Sequence, residues 1–341
     1  MGVDLGELIQ KKKISLDDLS GKILAIDAYN ALYQFLAVIR GEKGEPLMDR
    51  QHRITSHLSG LFYRNINLLE KGTKLVYVFD GEPPELKEAE IERRKRMKKE
   101  AIVKYEESIR MGRMEEARKY AQMTSQLKDM MVEDAKRLLN YMGIAWVQAP
   151  SEGEAQAAYM AEKGHVWAAV SQDHDSLLFG APRLVRNLTI SGRRKLPGKD
   201  EYVEVELEQI DLNQVISNLS ITREQLVDIG ILIGTDFNPD GFKGIGPVKA
   251  LKLIKNYKRL ENIQELKDQL KSVDYQSVRD IFLKPKVTDS FELRWREHNV
   301  DAIIDFLCHE RDFSETRVRS ALARLEVVEK KKSETLERWF S

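Results

Sequence analysis

The stretch "GKILAIDAYNALYQFL" (residues 21–36) joins two patterns at one residue. Its first half is a short, unbroken apolar run, which reads as a strand buried on both faces. Asp27 ends that run, and a helical pattern follows it. The arrangement returns in "TKLVYVFDGEPP" (73–84), a buried strand closed by Asp80 and a Gly-Pro turn. It returns again in "HVWAAVSQDHD" (165–175), which closes on Asp173 and Asp175, and a shorter apolar run, "VDIGILIGTDF" (227–237), ends at Asp236. Strands alternating with helices predict an α/β fold with a central, mostly parallel sheet flanked by helices. Ligands of such sheets bind beyond the carboxyl ends of the strands. Three strands that each deliver aspartate to that edge point their carboxylates into one crevice, a less natural outcome for three independent helix caps.

Composition sets the limits. A chain of 341 residues, 42% hydrophobic and 32% charged, can bury a large core. Its single cysteine, Cys308, leaves no internal disulfide framework and no cysteine-based zinc site, and predicts a reducing, intracellular setting. No apolar run reaches membrane-spanning length, and no signal-peptide pattern opens the chain. "MGVDLG" begins like a myristoylation signal but carries Gly6 where Ser or Thr belongs. The formal net charge is zero, yet basic residues cluster in "RRKRMKK" (93–99), "SGRRKLPGK" (191–199) and "PVKALKLIKNYKRL" (247–260). A neutral total can therefore hide a basic face and an acidic pocket.

"APSEGEAQAAYMAEKG" (149–164) adds Glu152 and Glu154 at a helix entry, with Ser151 expected as the N-cap. Taken alone, the two glutamates suit the helix dipole as well as they suit ligation. Beside Asp27, Asp80, Asp173, Asp175 and Asp236 they complete a set of seven acids. Crowded carboxylates repel one another unless a cation joins them. All-oxygen ligation selects Mg²⁺ or Mn²⁺ over zinc, and seven acids suit two ions about 4 Å apart in a two-metal phosphoryl-transfer site. His174 is expected to point away from this pocket.

Between Glu85 and Gly143 runs a long, charged helical pattern broken at Gly112, too poor in apolar residues to lie on the core, so it is expected to project. "TDFNPDGFKGIGPVKALKLIKNY" (235–257) reads as a helix ending near Gly234, a loop, and a second helix with Pro247 in its first turn. This is a helix-hairpin-helix pattern spanning about 222–257. Gly244 and Gly246 allow backbone N–H groups to approach a phosphate closely, and Lys249 adds charge, a grip on duplex backbone that reads no bases.

Together these stretches, with "ITSHLSGLFYRNINLLEKG" (54–72), "SQDHDSLLFGAPRLVRNLTISGRRKLPG" (171–198) and "FLCHERDFSETRVRSALARL" (306–325), resemble the archaeal-type flap endonucleases along essentially the whole chain. The family consists of structure-specific 5′ nucleases of replication and repair. The resemblance implies that the seven acids are metal positions, that Lys87 and Arg94 contact the scissile phosphate, and that the helices after them form an arch for a free 5′ end. It implies that Tyr33 stacks on a nucleotide beside the cut and that Gly2 lies near the site once Met1 is removed. A monovalent cation at the helix-hairpin-helix, and Arg311 and Arg317 as contacts near a 3′-flap pocket, are implied in the same way. So are Leu336, Trp339 and Phe340 in "SETLERWFS" (333–341) as a sliding-clamp motif, with Ser333 where the motif normally has Gln.

The expected organisation is one nuclease domain over 1–330, with an N-terminal part to about 84, the arch and following helix over about 85–143, and an internal part over about 144–330. A flexible tail over 331–341 completes it. The expected protein is a monomer acting on branched DNA with a 5′ flap, with 5′ exonuclease activity at nicks and gaps, in Okazaki-fragment maturation and base-excision repair. A non-catalytic duplex binder or clamp adaptor of the same fold is the rival, and it predicts lost carboxylates, whereas all seven are present. A small-molecule phosphatase fits less well, since "AIDAYN" lacks an Asp-x-Asp nucleophile pattern.

Overall fold

The structure is a computed structural model that describes residues 2–41, 44–124, 127–190, 192–195 and 202–340. At 114, 118, 122–123, 193–195, 202–203 and 328–340 it describes the backbone alone. Nine strands are described: β1 Lys12–Ile14, β2 Ile23–Asp27, β3 Lys74–Phe79, β4 Ala145–Gln148, β5 Ala168–Val170, β6 Arg183–Arg186, β7 Gly192–Lys195, β8 Tyr202–Val205 and β9 Leu207–Asp211. Seven of them form one sheet in the order β1-β9-β6-β5-β2-β3-β4. The run from β4 to β6 is parallel, and β9 and β1 close one edge antiparallel. β7, in the basic stretch that begins at 191, pairs separately with β8.

The order of the strands places the site. From β2 the chain moves outward to β3 and β4 on one side, then returns to build β5 and β6 on the other. The gap between β2 and β5 is thus the topological switch point, where a crevice opens at the carboxyl edge. Asp27 ends β2 at that gap, and Asp173 and Asp175 follow β5.

Both faces are covered, which is why the strands read as continuous apolar runs. Leu24 and Ile26 of β2 and Leu75, Tyr77 and Phe79 of β3 face a core built with α1 (Ala28–Val38), α2 (Ser56–Glu70) and α5 (Asp129–Tyr141). The alternate residues Ala25, Val76 and Val78 face α6 (Gly153–Glu162), α7 (Asp175–Leu178), α8 (Leu212–Leu219) and α9 (Arg223–Ile233). Fully buried side chains such as Phe79 contribute about 1.5–3 kcal/mol each. Tyr77 hides its hydroxyl by donating to Asn65 Oδ1 at 2.8 Å.

Between α2 and α5 stand α3 (Glu88–Arg110) and α4 (Met114–Met123), the expected projecting helices. Of the 23 residues of α3 only Glu90, Ala101 and Ser108 are buried. Gly112 turns the chain with φ +69°, where glycine avoids the Cβ penalty. Ala117 and Ala121 of α4 are buried, so small residues let the two helices pack closely.

The helix-hairpin-helix is α9 and α10 (Pro247–Tyr257), with Pro247 at the first position. Beyond lie α11 (Lys267–Leu270), α12 (Tyr275–Leu283), α13 (Val300–Ile304), a π-helical turn over Asp305–Glu310, and α14 (Glu315–Phe340). α14 runs on through the expected tail segment as far as Phe340. From Glu315 to Phe340 there is no Gly or Pro to stop the helix. The side chains of Leu336, Trp339 and Phe340 lie outside the described residues. Among the described residues no helix is long and apolar enough to cross a membrane.

Candidate active site

Each acid arrives at the end or the start of an element. Asp27 is 8% exposed, and its Oδ1 accepts from Asn30 N at 2.9 Å, so this aspartate caps α1 while facing the crevice. Asp80 follows β3, and its Oδ1 accepts from Gly153 N at 2.7 Å. Glycine allows this close approach: a Cβ on Gly153 would sit 2.6 Å from that same oxygen. The contact draws the start of α6 against the end of β3 and brings Glu152 and Glu154 with it.

The expected cap at Ser151 is not formed. Glu152 occupies the cap position without a side-chain capping bond, because Ser151 Oγ instead donates to Glu82 O at 2.9 Å and ties the helix entry to the Gly81 turn. Asp173 and Asp175 cap nothing either. Asp175 begins α7 and accepts from Val3 N at 2.7 Å, while Asp173 accepts from Asn30 Nδ2 at 3.3 Å. The N-terminal segment is thus part of the site. A Cβ on Gly2 would lie 2.5 Å from Asp175 Oδ2, so only glycine fits. His174 turns away as expected, buried with Nδ1 against Val3 O.

The seventh acid, Asp236, follows α9 and is 9% exposed. Arg94 Nη2 donates to both of its oxygens at 2.7 Å. Lys87 makes an ion pair with Glu152 and lies 3.6 Å from Asp236. The start of α3 and the turn before it therefore lay two cations on the carboxylates. Glu90, 1% exposed, accepts from Arg93 and Arg94 and fixes the second of them; its spacing of three and four residues from those arginines was the legible signal.

The electrostatics follow from crowding. Burial, then the Asp80 charge, holds the Asp27 carboxyl well above its ordinary pKa. Burial and Glu152 push Asp80 to about 6, and burial with Asp236 and Asp173 pushes Asp175 to about 7. Glu154 is raised by burial and by Asp175. Burial pulls Lys87 down, but Glu152 and Asp236 together outweigh it and raise the ammonium. Seven acids against two cations leave an excess of buried negative charge, which hard divalent cations on oxygen donors relieve. Among the described residues no three side chains form a ready-made cage; they line a crevice instead, with Lys87 and Arg94 engaging two of them. The donor set fits the metal, although the ligands do not all converge on one point as they stand.

Tyr33 on α1 is 43% exposed, and burial raises its phenol's pKa, with the Arg94 and Asp80 charges acting on it in opposite directions. Gly244, with φ +76°, and Gly246 face open space, with nothing within 4 Å of where a Cβ would stand. Lys249 is exposed and donates to Gly244 O at 3.2 Å. Arg317 is exposed on α14. Arg311 departs from expectation. It is 8% exposed and bound to both oxygens of Asp134 on α5 at 2.9 and 3.0 Å, with its guanidinium over Phe306, so it fastens α5 to the C-terminal elements rather than facing outward. A sequence shows that an arginine is present but not which carboxylate it finds.

The XPG N-terminal domain matches residues 1–101, and the XPG I-region matches 143–236. The flap endonuclease 1 of Pyrococcus abyssi is 56% identical over 342 residues, spanning 100% of this chain and 98% of that protein. The flap endonuclease 1 of Nitrosopumilus maritimus is 53% identical over 340 residues, 100% of each. Among solved structures, flap endonuclease-1 from Methanococcus jannaschii superposes with a TM-score of 0.75 at 46% identity, covering 97% of this chain and 100% of that one. The catalytic core of Rad2 in complex with DNA substrate shares the fold, with a TM-score of 0.67 at 24% identity over 94% of this chain and 97% of that one.

Proposed function

The chain belongs to the flap endonucleases of the XPG family, and from that premise we propose that it cuts branched DNA at the base of a 5′ flap by metal-dependent phosphodiester hydrolysis. The observation that carries this reading is the meeting of seven carboxylates at the switch point of the sheet, with Lys87 and Arg94 from the arch laid on them.

In this reading Asp27, Asp80, Glu152, Glu154, Asp173, Asp175 and Asp236 hold two Mg²⁺ ions, with Mn²⁺ as a substitute. Bound there, such ions would make water a better nucleophile near neutral pH and offset negative charge gathering at the phosphate. Lys87 and Arg94 exchange their carboxylate partners for the scissile phosphate and stabilise charge gathering there. Tyr33 stacks on the nucleobase beside the cut and holds the strand in line. The unstrained entry to α10, with Gly244, Gly246 and Lys249, grips the downstream duplex through its phosphates. A monovalent cation in that loop would serve the same grip. The arch admits a free 5′ end, which also allows exonuclease action at nicks and gaps. Arg317 lies nearest in kind to a 3′-flap contact, and Leu336, Trp339 and Phe340 are assigned to a sliding clamp. In this reading the protein works inside the cell, as a monomer, in Okazaki-fragment maturation and base-excision repair.

The test is cleavage of a 5′-labelled double-flap DNA beside matched bubble, hairpin and single-strand controls, in Mg²⁺ or in EDTA. The expected result is metal-dependent cutting at the flap junction and much weaker cutting of the controls. Tight binding with no cutting would instead assign the chain to the adaptor class, and preference for the bubble to another branch of the family.

A further inference from the structure

A line of side chains runs behind the site with a fixed direction. Thr189, in the loop after β6, donates its hydroxyl to Gln34 Oε1. Gln34 Nε2 in turn donates to Asn30 Oδ1 at 2.9 Å, one helical turn earlier on α1. Asn30 Nδ2 then donates to Asp173 Oδ2 at 3.3 Å, while the Asn30 backbone N–H donates to Asp27 Oδ1 at 2.9 Å. The far end is anchored: Leu188 is fully buried, and its carbonyl accepts from Arg64 Nε of α2 at 2.6 Å.

Each link dictates the next. The direction is set at the carboxylate: Asp173 only accepts, so Asn30 must turn its NH₂ to it. The Thr189 hydroxyl, able to donate or accept, meets the far end as the donor to the Gln34 oxygen and leaves the Gln34 NH₂ facing Asn30. That NH₂ takes the Asn30 oxygen and so holds the Asn30 NH₂ on Asp173. Asn30 therefore presents one donor to a carboxylate at the end of β2 and another to a carboxylate after β5, across the switch point. We propose that Asn30, oriented by Gln34 and Thr189, is a positioning residue that sets the direction of Asp173 relative to Asp27 and so tunes divalent-metal affinity at the site. The proposal rests on the reading of Asp173 as a metal ligand. Partners that orient a ligand in this way commonly change metal affinity about 10–100-fold when removed.

The test is Mn²⁺ titration followed by electron paramagnetic resonance on the full chain and on Asn30→Ala, Gln34→Glu and Asp173→Ala, with melting in EDTA and metal-free duplex affinity measured alongside. Alanine keeps the helix at position 30. Glutamate at position 34 has no donor for Asn30 and draws the Asn30 NH₂ away from Asp173, acting without touching the site. The expected result is Mn²⁺ affinity about 10-fold weaker or more in both Asn30→Ala and Gln34→Glu, with duplex affinity and EDTA melting held. If Asp173→Ala weakens Mn²⁺ binding but Asn30→Ala and Gln34→Glu do not, the proposal is overturned and the metal reading stands. If Asp173→Ala also binds Mn²⁺ as the parent does, the metal reading of that residue falls, and the proposal falls with it.

Discussion

At the scale of single residues the clearest stability effect lies away from the acids. His57, the second residue of α2, is fully buried, and both of its ring nitrogens lack a hydrogen-bond partner. Burial, reinforced by the nearby Arg311 charge, pushes its pKa from 6.5 down to about 3. The unfolded chain therefore binds this proton before the folded one does. Stability is fully present above the unfolded pKa and is lost as pH falls from about 6.5 towards 3, by roughly 1.4 kcal/mol for each pH unit. Urea midpoints measured between about pH 7 and 4.5 should fall less steeply for His57→Phe than for the parent. Parallel slopes would mean that the folded state takes up this proton as readily as the unfolded chain, and that the ring's pKa is not lowered. Nothing in the spacing around "ITSHLSG" announces this burial, since a histidine one residue into a helix is usually at the surface.

At the scale of elements, the legible part of the site was the strand ends. Unbroken apolar runs closed by aspartate can hardly be anything but buried strands entering one edge, and Asp27, Asp80, Asp173 and Asp175 stand there. The helix-hairpin-helix was legible too, because Gly234, Gly246 and Pro247 mark the helix ends by their own backbone chemistry. Side-chain partnership was not legible. Ser151 finds Glu82 rather than its own helix, and Arg311 finds Asp134, because such choices depend on elements far away in sequence. The Gly153 contact is of the same kind and predicts a cost. Gly153→Ala places a Cβ 2.6 Å from Asp80 Oδ1 and 3.1 Å from Val78 O, so the Asp80 carboxylate must give up its bond to Gly153 N or α6 must shift from the sheet. The expected result is a loss of about 1–3 kcal/mol in denaturant unfolding, with weaker Mn²⁺ binding because Glu152 and Glu154 ride on that helix. Unchanged stability and affinity would show that α6 has room to spare.

At the scale of the whole molecule, the proposed reading puts two functions at two ends of one hairpin. α9 leads into Asp236 at the crevice and, through the loop, into α10, so on that reading the hairpin sets the distance between the duplex grip and the cut. The crevice holds excess negative charge in the folded state alone, so divalent cations should raise the melting temperature. At about 100 times the dissociation constant a single site contributes about 2.7 kcal/mol. A shift of several degrees in saturating Mg²⁺ over EDTA is expected by calorimetry at matched ionic strength, and no shift would contradict a crevice built for metal. The division of labour itself is tested most directly by Asp175→Ala, assayed for flap cleavage in Mg²⁺ and for duplex binding without metal. The prediction is cleavage lower by at least about 10²–10³-fold, the scale of lost transition-state charge stabilisation, with duplex affinity unchanged. Cleavage at the parent rate, or duplex binding lost along with cutting, would contradict the assignment of chemistry to the carboxylates and grip to the hairpin.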